Sequence, residues 1–405
     1  MFLPLRKITF TRYDANKVII QQFVYDYVCD LEIKKSYETL TSTAHIKLPR
    51  KLLYNSGEAQ TPTSPTQDYI NQPAIGHTQN VNYITPTAND ASVLFRRGDS
   101  VKIEIGFYPN MQTRFVGFIS KIVSTLPIEI QCEDSMWILK QSNVIFPDPS
   151  TWRRVVKNKS TTISGTRRLN LKTIMDGILS FVPTRINYLT VDDSMDLGLR
   201  IFNGVSVAQI LEILKSHYGL YSYFKDDGVL YVGFGNNYSN TAIQTIQMDG
   251  NNGVVFNADS LQWTNSKDVL IKVRGKSLNT STQKYIIYEA YMLNNILVGR
   301  VVNNPSEEDK RFAGDTIEKL TVNQSAEGLK KFVDNMLPTL NYNGFRGEIL
   351  TLGEPVINHG DIINLVSLKI PERNGKYLVK GVTIEDGEKG YFQKISLGIA
   401  MQNQT

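Results

Sequence analysis

Gly98-Asp99-Ser100-Val101-Lys102-Ile103-Glu104-Ile105 is the stretch whose reading decides the fold. Val101, Ile103 and Ile105 alternate with polar residues, the two-residue period of a half-buried strand. Gly98 accepts the positive φ of a tight strand entry, and Asp99 can bond nearby backbone amides. A second apolar run, Phe115-Val-Gly-Phe-Ile-Ser-Lys-Ile122, follows. The same design returns near the other end of the chain. Gly360-Asp361-Ile-Ile-Asn-Leu-Val-Ser367 precedes Tyr377-Leu-Val-Lys-Gly-Val-Thr-Ile384. In both copies Gly-Asp opens an apolar strand, and an aromatic opens the next strand seventeen residues after the glycine. Both turns hold Pro and Asn: Pro109-Asn110 in one, Pro371 and Asn374-Gly375 in the other. The echo predicts a duplicated β unit, one copy near each end.

Outward from the first copy, Val18-Ile19-Ile20, Phe23–Val28, Asp30–Ile33, Ala44–Leu48 and Ile128–Cys132 read as strands, and Glu133–Lys140 as a helical turn packing Trp137. Between them, residues 55–92 are mostly Thr, Asn, Gln, Ser and Pro, with no Lys or Arg between Lys51 and Arg96. Such a segment buries too little apolar surface to offset its ordering entropy, so it is expected either to be disordered or to be a binding loop that orders only against a partner chain. The middle of the chain changes period. Leu171, Ile174, Ile178, Leu179 and Val182 recur at helical spacing before Pro183. Ser206 with Gln209 makes a capping box for a second helix that ends at Gly219. A hairpin turning at Asp226-Asp227-Gly228 follows. Strands return at Val254–Phe256, Leu261–Trp263, Val269–Val273 and Tyr285–Tyr291. Ser306 and Asp309 could cap a short helix, and a firmer helix runs from Ser325 to Pro338.

The expected fold is therefore mainly β with an α+β insertion: two similar small, tube-like β-barrel domains flanking a middle α+β domain. The boundaries read as 1–140 for the first barrel with its 55–92 insertion, 141–253 for the middle domain, and 254–405 for the second barrel, itself interrupted at about 281–344. Two similar barrels per chain in a threefold ring present six similar units. Such a ring can meet a sixfold partner on one side and a threefold partner on the other.

Composition excludes several classes. The 405 residues carry 44 Lys plus Arg against 39 Asp plus Glu, a net +5 too mild to name nucleic acid as the partner. No apolar run approaches bilayer length, and the stretch before Arg6 is too short for a secretion-signal core, so no stable membrane insertion is expected. Two cysteines, Cys29 and Cys132, and four scattered histidines supply neither a disulfide framework nor an evident zinc site.

The motifs carry little catalytic chemistry. Arg97-Gly98-Asp99-Ser100 matches an integrin-type adhesion sequence but serves better as a strand entry, since Gly-Asp recurs at 360–361 without the arginine. Glu133-Asp134 and Asp192-Asp193 are adjacent carboxylates, which point to opposite faces on a strand. His217 near a helix end and the two cysteines in apolar strands read as structural. No catalytic residue, metal site or cofactor is expected. Charge is concentrated instead. Asp148–Lys172 holds Arg153, Arg154, Lys157, Lys159, Arg167, Arg168 and Lys172 against Asp148, and the rest of the chain is nearly neutral. That cationic segment is a candidate partner-docking site.

Three groups of residues carry a family resemblance. Ser36–Lys51, Phe95–Tyr108 with Arg114–Ile119, and Glu129–Lys140 resemble the first barrel of phage baseplate hub proteins, the late control protein D family, related to the hub part of VgrG. Gly204–Leu211 with Gly228–Val232 is similar to that family's middle domain, and Gly353–Asp361 with Gly375–Val379 to its C-terminal barrel. The resemblance implies a homotrimeric, non-enzymatic virion structural protein of the tail or a related injection machine, assembled in the bacterial host cytoplasm. Its implied partners are the tail tube or a distal tail protein, a central spike and the tape-measure protein. DNA or cargo would pass through its channel without sequence-specific binding. The chain stops soon after the second barrel, so the spike is expected to be a separate protein. The 55–92 insertion departs from the family pattern. Two other readings compete: a receptor- or glycan-binding tail protein, which has no need of matched units at both ends, and a tail-associated cell-wall hydrolase, which needs a carboxylate pair or zinc.

Overall fold

The computed structural model describes residues 4–49, 52–54, 82–84, 95–123, 127–144, 170–190, 195, 197, 204–234, 243–249, 255–257, 260–264, 270–279, 283–293, 296–302, 314–322, 324–371 and 374–401. The first unit contains β1 (Pro4–Tyr13), β2 (Ile19–Tyr25), β3 (Asp30–Ser36), β4 (Thr43–Leu48), β5 (Leu52–Tyr54), β6 (Asn82–Ile84), β7 (Ser100–Phe107), β8 (Asn110–Val123), β9 (Ile128–Glu133) and α1 (Met136–Gln141). The middle module follows with β10 (Asn143–Val144), α2 (Leu171–Leu179), β11 (Tyr188–Thr190), β12 (Val205–Ser206), α3 (Val207–Tyr218), β13 (Tyr221–Phe224) and β14 (Leu230–Gly233). The last part begins with β15 (Ile243–Gln247), β16 (Val255–Asn257) and β17 (Gln262–Thr264). It continues through β18 (Ile271–Asn279), β19 (Lys284–Leu293), β20 (Ile296–Val302), β21 (Asp315–Val322) and α4 (Ala326–Leu340). It ends in β22 (Gly344–Leu352), β23 (Ile362–Val366), β24 (Gly375–Gly387) and β25 (Gly390–Met401).

Alternation builds the sheets. β7 buries Val101, Ile103 and Ile105, every second residue, and β3 buries Leu31, Ile33 and Lys35. β1, β20 and β21 were not expected from sequence. The apolar signal of β1 is thin, since Ile8 and Phe10 sit among Arg, Lys and Thr, yet it lies between β2 and β7 and buries both. β6 falls within the polar 55–92 segment and pairs with β5.

The mainly β architecture with a middle α+β module is as expected. Sequence did not anticipate that the two β units share one sheet. Its path runs β16-β22-β25-β24-β3-β4-β9-β8-β7-β1-β2, with β17 on β22, β23 on β24 and β15 on β23. One apolar cluster also spans both units, uniting Ile8, Ile46 and Ile103 with Ile349, Ile384 and Ile395. Burial on this scale contributes roughly 1.5–3 kcal/mol for each large aliphatic side chain, so the shared cluster holds the two units together.

The middle module packs α2 and α3 over β13 and β14 around its own core. Its capping box is complete. Ser206 Oγ accepts from the Gln209 amide at 3.2 Å, and Gln209 Oε1 accepts from the Ser206 amide at 2.8 Å. In the last part, β20-β19-β18-β21 form a separate sheet covered on one face by α4. Ser325 caps α4 as expected, but the helix runs two residues beyond Pro338. A proline this near the end removes one donor, and the Asn341 amide still bonds the Leu337 carbonyl at 2.9 Å. Ser306 and Asp309 lie outside the described residues.

Candidate assembly site

The two Gly-Asp turns share their bonding atom for atom. Gly98 N–H donates to the Ile119 carbonyl at 2.8 Å, and Ile119 N–H returns to the Asp99 carbonyl at 2.9 Å. Gly360 and Val379 make the same first bond at 2.8 Å, and Val379 and Asp361 the second, also at 2.8 Å. Each aspartate closes its turn by accepting from a backbone amide three residues earlier, Arg96 or Asn358, both at 2.8 Å. Both glycines sit at positive φ, +93° and +86°. The shared bulge completes the likeness. The pairing of β8 with β9 slips between Ile119 and Lys121, and that of β24 with β25 slips between Val379 and Gly381. The aromatic part of the echo does not survive. Phe115 lies inside β8 opposite Ile103, while Tyr377 lies near the start of β24 opposite Ile363, so the two rings hold different positions. The hairpins differ in length by two residues, which the equal aromatic spacing concealed.

These turns give a direct expectation. Gly98→Ala and Gly360→Ala should each cost about 1–2 kcal/mol, because the left-handed region penalises a Cβ. Asp99→Ala should cost more than Asp361→Ala. Asp99 also holds the Arg12 guanidinium, at 3.0 Å from Nε and 2.8 Å from Nη2, a bidentate pair in a largely buried setting. Thermal unfolding of the four variants checks both statements.

Three parts of the chain meet around a buried charged cluster. Lys35 shares the inner face of β3 with Leu31 and Ile33, and its Nζ lies 2.5 Å from Asp226 Oδ1 in the β13–β14 turn. Its side chain is 3% exposed, that of Asp226 37%. Burial holds the Lys35 amine below its usual range, opposed by Asp226. Arg114 of β8, fully buried, donates to the Gly353 carbonyl at 3.5 Å, the Ile357 carbonyl at 3.4 Å and Gln393 Oε1 at 3.3 Å. His359, in the loop before β23, packs edge-on against Tyr223 with ring centres 4.6 Å apart. Among the described residues neither of its ring nitrogens has a hydrogen-bond partner. Burial, then the Lys35 cation, pushes His359 down to about 3. The cluster therefore ties β3 and β8 to the middle module and to the segment that links β22 and β23. Sequence reasoning missed it, although strict alternation in β3 already put Lys35 on the inward face.

The other residues considered from sequence serve as structure. Asp134 accepts from the Ser42 amide at 2.8 Å and the Met136 amide at 3.0 Å, and burial pushes its carboxyl up to about 6. Its neighbour Glu133 pairs with Lys140 at 2.6 Å. Asp99 of the adhesion-like tetrapeptide is buried in the turn just described. Cys132 is buried, which raises its thiol well above the usual range. Arg153, Arg154, Lys157, Lys159, Arg167 and Arg168 lie outside the described residues, as do Asp192 and Asp193. Lys172 is described on α2, with its ammonium 5.7 Å from the Tyr188 ring centre. Among the described residues no group of three or more His, Cys, Asp or Glu is placed to hold a metal, and no helix is long and apolar enough to cross a membrane. An open cleft of about 760 Å³ lies where α3, α4 and β22 meet, rimmed by Tyr37, Lys215, Tyr221, Tyr342 and Arg346. At the far edge of the large sheet, the β1–β2 tip presents Val18, Ile19 and Ile20 to solvent.

No protein-family model matches the sequence, and no curated protein matches it. Solved structures do. A tail protein from Neisseria meningitidis MC58 aligns over 97% of this chain and 96% of its own, at 12% identity and a TM-score of 0.56. The 43 kDa tail protein of prophage MuSo2 from Shewanella oneidensis aligns over 97% of both chains, at 12% identity and a TM-score of 0.50. The chain has the fold of these tail proteins. The likeness covers the joined sheet, the middle module and the inserted α4 sheet alike, since almost the whole of each chain is aligned.

Proposed function

We propose that the protein is a structural, non-enzymatic component of a phage tail or a related injection machine. In this reading three copies form a hub ring that adapts a sixfold tail tube to a threefold central spike around a channel for DNA or cargo. The observation that carries the reading is the duplication within one chain: two units with the same Gly-Asp turn, the same bulge and a strand order that matches over five strands, β3-β4-β9-β8-β7 and β17-β22-β25-β24-β23. Two such units per subunit give a threefold assembly six similar faces, the number a sixfold ring requires. The fold likeness to two tail proteins supports the setting. The apolar β1–β2 tip supports a protein contact, because adjacent exposed aliphatics on an edge hairpin favour burial against a partner.

In this reading the cationic segment from Arg153 to Lys172 docks on an acidic surface of the tube, the spike or the tape-measure protein. DNA then crosses the channel without sequence-specific contact. The protein belongs to the virion tail and assembles in the host cytoplasm. Light scattering on the purified chain should return the mass of three subunits, and electron micrographs should show threefold rings. A strict monomer at every concentration, absent from tail particles, would overturn the proposal.

A further inference from the structure

The internal repeat leaves one sheet edge in each unit without its counterpart. β24 bonds β25 along one side. On its other side it bonds β23 through Gly375–Leu378, then, past the bulge, β3 through Gly381–Gly387. β8 has the same anatomy. It bonds β9 on one side, and on the other bonds β7 up to Phe118. Beyond the matching bulge Lys121, Ile122 and Val123 continue beside β9, but among the described residues no strand covers their outer edge. By the shared turn, Ile119 corresponds to Val379. Lys121, Ile122 and Val123 therefore correspond to Gly381, Val382 and Thr383.

The strand that would fill that edge is also identifiable. Ala44 of β4 lies opposite Cys132 of β9, and Gly347 of β22 lies opposite Leu397 of β25. Cys132 and Leu397 correspond, since each pairs with a corresponding residue, Ile119 or Val379. β4 therefore corresponds to β22, with Thr43 at the place of Arg346. Thr43 lies opposite Lys34, and Arg346 lies opposite Gln262. Gln262, Trp263 and Thr264 thus stand where Lys34, Lys35 and Ser36 stand in the first unit. In the first unit these residues pair with β24. In the second unit β17 pairs, among the described residues, with β22 alone, and Trp263 is 54% exposed.

We propose that β17 of one copy pairs antiparallel with the β8 edge of the next copy, repeating between chains the β3–β24 contact made within the chain. The register follows from the correspondence: Thr264 opposite Lys121, Trp263 opposite Ile122, and Gln262 opposite Val123. Residues directly opposite share a face. Trp263, already edge-on to Phe345, therefore covers Ile122, which is only partly buried within one chain. The edge amides and carbonyls that no described strand pairs become bonded, which removes the hazard that open edges carry. The contact is head-to-tail, because each copy offers β17 and receives on β8, the kind of contact from which a closed ring is built when the rotation per subunit is one-third of a turn. The proposal rests on the ring reading and specifies its subunit interface.

Val123→Cys with Gln262→Cys in the same chain tests it. Opposed Cβ atoms about 4.5–5.5 Å apart lie close to disulfide reach. Under mild oxidation the double variant should form covalent dimers and trimers on a non-reducing gel, and each single variant should stay monomeric. Trp263→Glu should shift the solution mass from three subunits to one with unchanged circular dichroism. A three-subunit mass with neither cross-linking nor dissociation by Trp263→Glu overturns the edge assignment and leaves the ring standing. A one-subunit mass for the unmodified protein overturns the ring reading itself.

Discussion

Asp226→Ala should destabilise the chain by about 2–3 kcal/mol at neutral pH, whereas Lys35→Met should cost under about 1 kcal/mol or stabilise it. The asymmetry follows from burial. Lys35 is almost wholly enclosed, and Asp226 is the carboxylate at its tip, 2.5 Å away. Removing Asp226 leaves an ammonium facing the cationic Arg114 with no counter-charge at contact distance, which is the costly way to break a buried pair. The loss falls below the usual 3–5 kcal/mol because Asp226 is about one-third exposed and already partly screened by water. Removing Lys35 instead lets the Asp226 carboxylate turn to solvent, while methionine fills a slot of similar length among apolar neighbours. The double variant should recover most of what Asp226→Ala loses, a coupling of about 2 kcal/mol in a double-mutant cycle. Because burial already depresses the Lys35 amine, Asp226→Ala should also lose less at pH 9 than at pH 7, as the unpaired amine sheds its proton. Urea denaturation of the four proteins reads all of this. Equal losses in the two single variants would show that the pair does not carry the junction.

His359→Phe should stabilise the protein at pH 7 by about 1 kcal/mol and make it markedly more acid-resistant. Both ring nitrogens of His359 are buried without partners among the described residues, so an apolar ring of similar shape removes an unmet hydrogen-bonding demand. The pH effect has a definite sign. The folded state holds His359 down to about 3 against an ordinary 6.5. Between those values the unfolded chain binds a proton that the folded chain refuses, so stability falls as the pH falls. The wild type should lose about 1.4 kcal/mol per pH unit relative to His359→Phe over that window, close to 3 kcal/mol by pH 4.5. The surrounding groups are the Lys35 cation, which sharpens the effect, the Asp226 carboxylate, which opposes it, and the Tyr223 ring. Asp134 and Asp386, both pushed up to about 6 by burial, act in the opposite direction, since folding favours their protonated forms. They are present in both proteins and cancel in the difference. Parallel stability–pH curves for wild type and variant would refute the assignment.

Much of the β framework was legible in residues 98–105 and 360–367, because period-two alternation and glycine at positive φ are local demands. The capping box at Ser206 and Gln209 and the Gly219 helix end were legible for the same reason. β1 was not, because its burial comes from lying between β2 and β7 and not from its own composition. The candidate site was less legible. Lys35 directly follows Lys34 just past the apolar run read as a strand, and Asp226 lies in a turn sequence. They stand 191 positions apart, and nothing local links them.

Sequence alone determined that this chain is β-rich, that it carries two related Gly-Asp units around a middle α+β module, and that its excess charge is confined to one segment. Those properties follow from backbone preference and side-chain periodicity, which act over a few residues. Only the tertiary structure decided that β24 bonds β23 along its first half and β3 along its second, making two units one sheet. It also decided that the aromatic echo was coincidental while the Gly-Asp turns and bulges were not, and that a lysine, an arginine and a histidine are enclosed at one junction. Strand pairing and burial depend on which distant edge is free to bond and which charge lies across the contact. That information resides in long-range registers and not in any window of the chain.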